Sequence, residues 1–305
     1  MFRKILFIAV IVVLTLAACA PAASSNVAGL TLTDGLGREV KLGSAAQRVV
    51  SLAPSNTEIL FALGAGDKVV GRDEFSDYPE EAKAIASVGG SMGEYSLEAI
   101  VALKPDLVLA SELNSPELVS SLEKLGLTVY YLPNPKSFEE LYTNLETVAT
   151  LTGRDATKLT DSLKARVAAV DEKIAILSYA PVVFYEIDAT DPSKPYTAGV
   201  DTFINLIIQR AGGINFTGLA SITDSYPQVS LEQLVVTPPD FIILGDSMWG
   251  TTPEVVAGRP GWGTLTAVVD GHVYPFDDNL VSRPGPRLVD GLEALAKLLH
   301  PDSFK

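Results

Sequence analysis

Residues 154–177 read RDATKLTDSLKARVAAVDEKIAIL, without glycine or proline. Apolar side chains recur every three or four positions, at Leu159, Leu163, Val167, Val170, Ile174 and Leu177. This spacing predicts one helix with a single apolar stripe. At 1.5 Å per residue the helix would span about 36 Å, more than a small domain usually needs. We therefore predict that it joins two parts of the chain.

Two copies of one sequence pattern flank this helix. The first copy is 96–101 (SLEAIV) followed by 105–109 (PDLVL), and the second is 230–235 (SLEQLV) followed by 239–243 (PDFII). Each copy predicts a short helix that begins after a capping serine and leads into a buried strand. The chain is therefore interpreted as two related lobes with a helix between them.

Strand and helix patterns alternate through both lobes. Predicted strands such as 48–53 and 182–187 alternate with predicted helices such as 137–152 and 202–210. This alternation is typical of a mostly parallel sheet with helices on both faces. We expect an α/β fold with a ligand cleft between the lobes. The predicted boundaries are 30–152 for the N-terminal lobe, 153–178 for the linker helix and 179–305 for the C-terminal lobe.

The N-terminal segment has the pattern of an export signal. Two basic residues precede an apolar run, 5–16, that is too short to span a membrane. The run leads through two alanines to Cys19, the only cysteine, an arrangement that resembles a bacterial lipoprotein signal. We expect residues 1–18 to be removed, Cys19 to be lipidated on the outer face of the cell membrane, and residues 19–29 to form a tether. The alternative is an ordinary secretory signal with an incidental cysteine.

The charge of the chain excludes nucleic acid as a partner. The formal net charge is −14, and it becomes −16 when Arg3 and Lys4 are removed with the leader, which contains no acidic residue. Such a body repels phosphate backbones. An acidic module outside a membrane fits capture of small molecules or contact with a basic partner.

The sequence shows no complete catalytic or metal-binding motif. Residues 245–248 (GDSM) resemble the Gly-Asp-Ser block of some esterases, which makes Ser247 a remote candidate nucleophile. Such a serine needs a histidine base, and neither His272 nor His300 has the expected context. Two distant histidines and one lipidated cysteine do not make a zinc site. We expect no enzyme activity, no bound metal and no cofactor.

Loops at the strand ends supply the candidate ligand residues, because ligands of open α/β sheets bind beyond the carboxyl ends of the strands. These loops are rich in aromatic rings, which favour a broad, flat or macrocyclic ligand. The alternative is that several rings only cap the lobe cores. The predicted ligand residues are Ser55, Asn56, Phe75, Tyr78, Met92, Tyr95, Tyr185, Tyr196, Tyr226, Trp249, Asp278, Asn279 and Arg283.

Glu98 and Glu232 occupy the same place in the two copies of the repeat, two residues after the capping serine. A carboxylate in the first turn stabilises a helix by about 0.3–1 kcal/mol through the helix dipole. A matched pair of carboxylates could also bind two equivalent basic residues of a two-fold partner. The residues alone leave both interpretations open.

Five segments resemble the helix-linked (class III) substrate-binding proteins of ABC importers, and within that class the vitamin B12 binders most closely. The class also serves iron-siderophores and haem. The segments are 48–58 (RVVSLAPSNTE), 75–79 (FSDYP), 103–106 (LKPD), 226–230 (YPQVS) and 283–287 (RPGPR).

The resemblance implies two Rossmann-like lobes joined by one rigid helix. It also implies that Glu98 and Glu232 contact arginines on the two subunits of a permease dimer, which works with a cytoplasmic ATPase. The B12 binders line their cleft with aromatic residues at the positions that match Phe75, Met92, Tyr226 and either Phe184 or Tyr185, and the implied polar contacts are Arg283 and either Asp278 or Asn279.

The ligand implied by the resemblance is a cobalt corrinoid that is transported and keeps its own metal ligands. Met92 and Tyr226 stand where the better-known B12 binder has tryptophan, so a siderophore or haem is the alternative within the class. We expect a monomer that binds a small-molecule ligand and the permease. Its lipid anchor attaches it to the membrane.

Overall fold

The structure, a computed structural model, describes residues 29–90 and 94–305. The predicted leader, Cys19, nearly all of the tether and Met92 lie outside the described residues. In the described part of the chain, none of the helices has the length and apolar character needed to cross a membrane.

The N-terminal lobe is built on a parallel sheet. Its strands are β1 (Leu30–Thr33), β2 (Glu39–Leu42), β3 (Val49–Ser51), β4 (Val69–Arg72), β5 (Leu107–Ser111) and β6 (Val129–Leu132). Its helices are α1 (Pro54–Ala62), α2 (Leu97–Ala102), α3 (Pro116–Lys124) and α4 (Phe138–Thr152). β1 and β2 form an antiparallel hairpin, and the other strands form a sheet in the order β4-β3-β5-β6, parallel throughout.

The linker helix α5 runs from Thr157 to Ile174 and is shorter than predicted. Gly153 ends α4 in the left-handed conformation, and the Asp155 carboxylate accepts from the Thr157 N–H at 2.9 Å, so the helix starts late. With 18 residues it spans about 27 Å. The predicted helix, 154–177, is therefore three residues too long at each end. The predicted stripe is confirmed, because its central members are buried and α5 packs against neighbouring helices of both lobes.

The C-terminal lobe repeats the plan. Its strands are β7 (Val182–Asp188), β8 (Tyr196–Thr197), β9 (Ile214–Asn215), β10 (Phe241–Leu244) and β11 (Val273–Pro275). Its helices are α6 (Phe203–Arg210), α7 (Phe216–Leu219), α8 (Leu231–Val236), α9 (Pro253–Gly258), α10 (Thr266–Val269) and α11 (Leu288–Leu299). The sheet order is β11-β10-β7-β8 with β9 also on β7, and only β8 is antiparallel.

One hydrogen-bonding device occurs at the same place in both lobes. The Asp106 carboxylate accepts a hydrogen bond from the Arg48 N–H at 2.9 Å, and the Asp106 N–H donates to the Arg48 carbonyl at 2.9 Å. Asp240 accepts from the Val182 N–H at 2.7 Å and returns its N–H to the Val182 carbonyl at 2.8 Å. The partners are 58 positions apart in each case. The aspartate of each repeat therefore fastens the start of one central strand to the start of its neighbour.

An ion-pair cluster with a buried carboxylate at its centre joins the two lobes, and we call it the interlobe clasp. It comprises Glu58, Asp77 and Tyr78 from the N-terminal lobe and Arg283 and Arg287 from the C-terminal lobe. The Glu58 carboxylate, only 2% exposed, accepts from Arg287 Nε at 2.8 Å and from Arg287 Nη2 at 2.5 Å. Arg283 donates to Asp77 at 2.6 Å and lies 3.5 Å from Glu58. The Arg287 guanidinium stacks 4.0 Å from the centre of the Tyr78 ring.

Replacing Glu58 by glutamine should lower the free energy of unfolding by about 3 kcal/mol, because it leaves guanidinium charge buried without its carboxylate. Urea unfolding measures the effect. Glu293→Gln is the matched control, since Glu293 pairs with Arg166 but is 40% exposed, and its loss should stay below about 1 kcal/mol. Equal, small losses in both variants would show that the clasp does not hold the lobes.

Candidate functional site

A cavity of about 500 Å³ is lined by residues of both lobes, and we call it the interlobe cavity. The N-terminal lobe contributes the loops that follow β5 and β6, and the C-terminal lobe contributes the start of α6 and the loop before α8. Its lining comprises Glu112, Asn134, Pro135, Lys136, Val200, Asp201, Thr202, Phe203, Asn205, Leu206, Gln209, Ser225 and Tyr226.

Tyr226 is the predicted ligand residue that lines this cavity. Half of its surface is exposed. Partial burial of the phenol raises its pKa, and the carboxylates of Asp201, Asp278 and Glu112 raise it further. The hydroxyl therefore stays protonated, and the ring offers a flat, neutral face with one hydrogen-bond donor.

Four more predicted aromatic residues are exposed: Phe75, Tyr78, Tyr196 and Trp249. Tyr78 already carries Arg287 of the clasp on its ring. Trp249 ends the turn after β10 and borders a separate pocket of about 470 Å³ in the C-terminal lobe, with Asp188 and Asp246. The structure thus keeps these rings available at strand ends, but it does not gather all of them around one cavity.

Several predicted ligand residues are instead part of the lobe interiors. The Asn56 amide is buried and donates to the carbonyls of Leu109 and Ala110, both at 3.1 Å. Tyr185 has no exposed surface, and its hydroxyl donates to Asp278 at 2.7 Å. Ser55 is also buried. The prediction that Ser55, Asn56 and Tyr185 contact a ligand directly is therefore wrong for this conformation. These residues belong to the lobe interiors.

Tyr95 belongs to a hydrogen-bonded group beneath the N-terminal side of the cleft. Its hydroxyl donates to Asp73 at 2.7 Å, lies 2.8 Å from the Leu52 carbonyl and accepts from Asn114 at 3.1 Å. Burial and the Asp73 carboxylate raise the pKa of Tyr95 well above its usual range. The hydrogen-bonding capacity of this hydroxyl is fully used, so only the ring of Tyr95 could contact a ligand.

The polar residues predicted after β11 are held by internal bonds. The Asn279 amide donates to Asp277 at 2.9 Å within its own turn. The Asp278 carboxylate accepts the Tyr185 hydroxyl. The Arg283 guanidinium is in the clasp, where its Nη1 is paired with Asp77 and lies near Glu58, and its contact with a ligand stays a prediction.

Several cavity residues were missed by the sequence prediction, among them Glu112, Asn134, Lys136 and Asp201. Glu112 directly follows β5, and Asn134 follows β6 by two positions. The rule that points to the carboxyl ends of strands would have found both if it had been applied to every strand.

Every arginine in the described residues donates to a carboxylate or to a backbone carbonyl. Next to the cleft, Arg72 donates to the carbonyls of Asp73 and Glu74, while Arg283 and Arg287 are bound in the clasp. The others are Arg38, Arg48, Arg154, Arg166, Arg210 and Arg259. Lys136 is the only cationic side chain in the lining of the interlobe cavity.

Glu98 and Glu232 are the second residues of α2 and α8, and both are exposed. Ser96 and Ser230 cap these helices as predicted. Neither glutamate forms an ion pair with another described residue. A hydrogen bond from the Ser230 hydroxyl lowers the pKa of Glu232, which keeps it ionised. The pair is therefore accessible to a partner.

The remote esterase candidate is not assembled. Ser247 Oγ donates to the Phe276 carbonyl at 3.0 Å, beyond the carboxyl end of β10. His272 Nδ1 lies 3.2 Å from the Asp240 carbonyl, at the opposite end of that strand. His300 Nε2 lies 3.3 Å from the Gly212 carbonyl. Neither histidine can act as a base for Ser247.

Comparisons with known proteins agree with this architecture. A family model described as "Periplasmic binding protein" matches residues 49–280. The chain is 35% identical to an uncharacterised ABC transporter substrate-binding lipoprotein, YvrC, of Bacillus subtilis (strain 168), over 90% of this chain and 87% of the relative. It is 32% identical to a cobalamin-binding protein of Halobacterium salinarum, over 89% of this chain and 74% of the relative.

The fold is also found in a solved structure, the periplasmic haem-binding protein RhuT from Roseiflexus sp. RS-1 in its apo form. The TM-score is 0.74 at 26% sequence identity, and the match covers 85% of this chain and all of that one. The prediction of a class III binding fold is confirmed. Members of this family are exported transport proteins, not enzymes, which bind small molecules and work with a permease and an ATPase. The chain therefore belongs to the periplasmic binding protein family, as a substrate-binding protein of the ABC importers that serve vitamin B12, siderophores and haem.

Proposed function

We propose that this protein is lipid-anchored through Cys19, captures a corrinoid in the cleft between its lobes, and delivers it to a two-fold permease. The choice of ligand rests on the hydrogen bonds that the arginines around the cleft already make. Each of them already binds a carboxylate or a carbonyl of the chain.

A neutral ligand with amide groups suits such a cleft. Corrinoids carry amide side chains, which can hydrogen-bond to Asn134, Ser225 and the Tyr226 hydroxyl at the cavity wall. The flat macrocycle can stack on the exposed aromatic rings. Haem carries two propionates, and many ferric siderophores are anionic, so each would need free cations. The similarity to a haem-binding structure makes haem the second candidate.

Isothermal titration of the detergent-solubilised mature protein tests the ligand. We expect saturable heat with cyanocobalamin and none with haem or an anionic ferric siderophore. Tyr226→Ala should weaken corrinoid binding by about tenfold to a hundredfold, because a stacking face is lost. Tyr179→Ala is the control, since that exposed ring precedes the amino-terminal end of β7 and lies outside the cavity lining. No heat with any corrinoid would refute the proposal.

Replacing both Glu98 and Glu232 by alanine should leave ligand affinity unchanged and abolish uptake, because both carboxylates lie on helices outside the cavity lining. Whole-cell accumulation of labelled corrinoid and titration of the purified protein measure the two effects. Glu117→Ala with Glu254→Ala is the matched control, since these are also acidic residues in the first turn of a helix. Loss of ligand binding in the Glu98 and Glu232 variant would contradict the docking role.

Replacing Cys19 by alanine should release the protein from the membrane, because the thiol is the proposed site of acylation. Fractionation followed by immunoblotting measures the distribution. An unchanged membrane fraction would show that the leader itself, and not a lipid, anchors the protein.

A further inference from the structure

The two helices that carry Glu98 and Glu232 also expose a valine at the same position. Val101 follows Glu98 by three residues in α2 and is 41% exposed. Val235 follows Glu232 by three residues in α8 and is 56% exposed. Residues three apart on a helix are neighbours on its surface. Each lobe therefore presents a carboxylate beside an apolar side chain, and we call each such pair a Glu-Val face.

The cores of the lobes do not need these valines. Ile100 supplies the buried side of α2 and Leu234 that of α8, both without exposed surface. Valine is also a poorer helix former than alanine, because its branched side chain loses rotamer freedom. An exposed valine in a six-residue helix therefore contributes little to folding. Its presence at the matched position of both lobes points to a contact outside the chain.

The two Glu-Val faces begin at equivalent places in the lobes. The Ser96 N–H donates to the Val88 carbonyl at 2.9 Å, and the Val88 N–H donates to the carbonyl of Arg72, the last residue of β4, at 2.9 Å. In the other lobe, the Val229 N–H donates to the Pro195 carbonyl at 3.0 Å, beside β8, which pairs with the carboxyl end of β7. Both helices therefore start at the carboxyl ends of their sheets.

We infer that each Glu-Val face binds one long basic side chain of the permease dimer, with the cation on the carboxylate and the methylene stem on the valine. This inference rests on the proposed docking role of Glu98 and Glu232. Neither glutamate forms an ion pair with another described residue, so both carboxylates are open to a cation. Arginine and lysine lay their apolar stems along apolar surface. Two matched faces on one chain fit a two-fold partner.

The valine changes what the ion pair contributes to docking. A pair between exposed side chains contributes little by itself, because water and salt screen it. An apolar neighbour that packs against the bound side chain excludes part of that water, which strengthens the attraction between the charges. The Glu-Val face therefore holds a basic side chain more firmly than an isolated surface glutamate would.

Val101→Thr combined with Val235→Thr tests the inference, because threonine keeps the branched shape and replaces a methyl group by a hydroxyl. We expect whole-cell uptake of labelled cyanocobalamin at limiting concentration to fall by about tenfold. Titration of the purified variant should show unchanged ligand affinity, since both valines lie outside the cavity lining. Ile176→Thr with Val269→Thr is the matched control, because these exposed side chains lie outside α2 and α8, and its uptake should equal that of the wild type.

The outcomes separate this inference from the proposed function. Normal uptake by the threonine variant, while Glu98→Ala with Glu232→Ala abolishes uptake, would overturn the inference and leave the docking role intact. Wild-type dimers in sedimentation that the threonine variant fails to form would assign the faces to a second copy, which would also overturn it. If cyanocobalamin does not bind, the corrinoid function alone is refuted, and the same series measured with haem tests the faces.

A series in one lobe shows whether a single permease side chain contacts both groups. Uptake is compared for Glu98→Gln, Val101→Thr and their combination. If one basic side chain spans both residues, the valine substitution should have a much smaller effect once the carboxylate is lost. An equal effect of Val101→Thr with and without the Glu98 carboxylate would show two independent contacts and would overturn the inference.

Discussion

The buried carboxylate of Glu58 is the constraint on which the relation between the lobes depends. It sits on the first helix of one lobe and receives guanidinium groups from the loop that begins the last helix of the other. The linker helix by itself fixes a distance between the lobes, and the clasp adds a second point of attachment. Two attachments restrict rotation about the helix more than one attachment would.

Buried ion pairs are weak evidence for stability, because desolvation offsets much of their attraction, yet they are costly to break from one side. This asymmetry suits a clasp that specifies one arrangement of two bodies. It also accounts for the position of Arg283. Its guanidinium completes a charge balance with Glu58 and Asp77 that the N-terminal lobe cannot satisfy alone.

The parts of the fold that could be predicted from sequence rest on local rules. Capping serines at Ser96, Ser137 and Ser230 mark helix starts that the structure confirms. Alternating apolar segments indicated parallel sheets, and the repeated aspartate marked equivalent strand starts at Asp106 and Asp240. Each of these signals involves residues whose partners follow from spacing along the chain.

The site was predicted less well because its determinants are distant in sequence. Glu58 and Arg287 are 229 positions apart, and the acceptors of Asn56 are 53 and 54 positions away. Tyr185 lies in the interior of β7, in the predicted strand 182–187 as in the observed one, and a tyrosine in the middle of a strand covered on both faces is buried.

The contact between Arg287 and Glu58 also bears on competition by small inorganic anions. A guanidinium that already holds two carboxylate oxygens, as Arg287 does, has little remaining attraction for phosphate or sulfate. Such anions in the medium therefore compete poorly for this contact between the lobes.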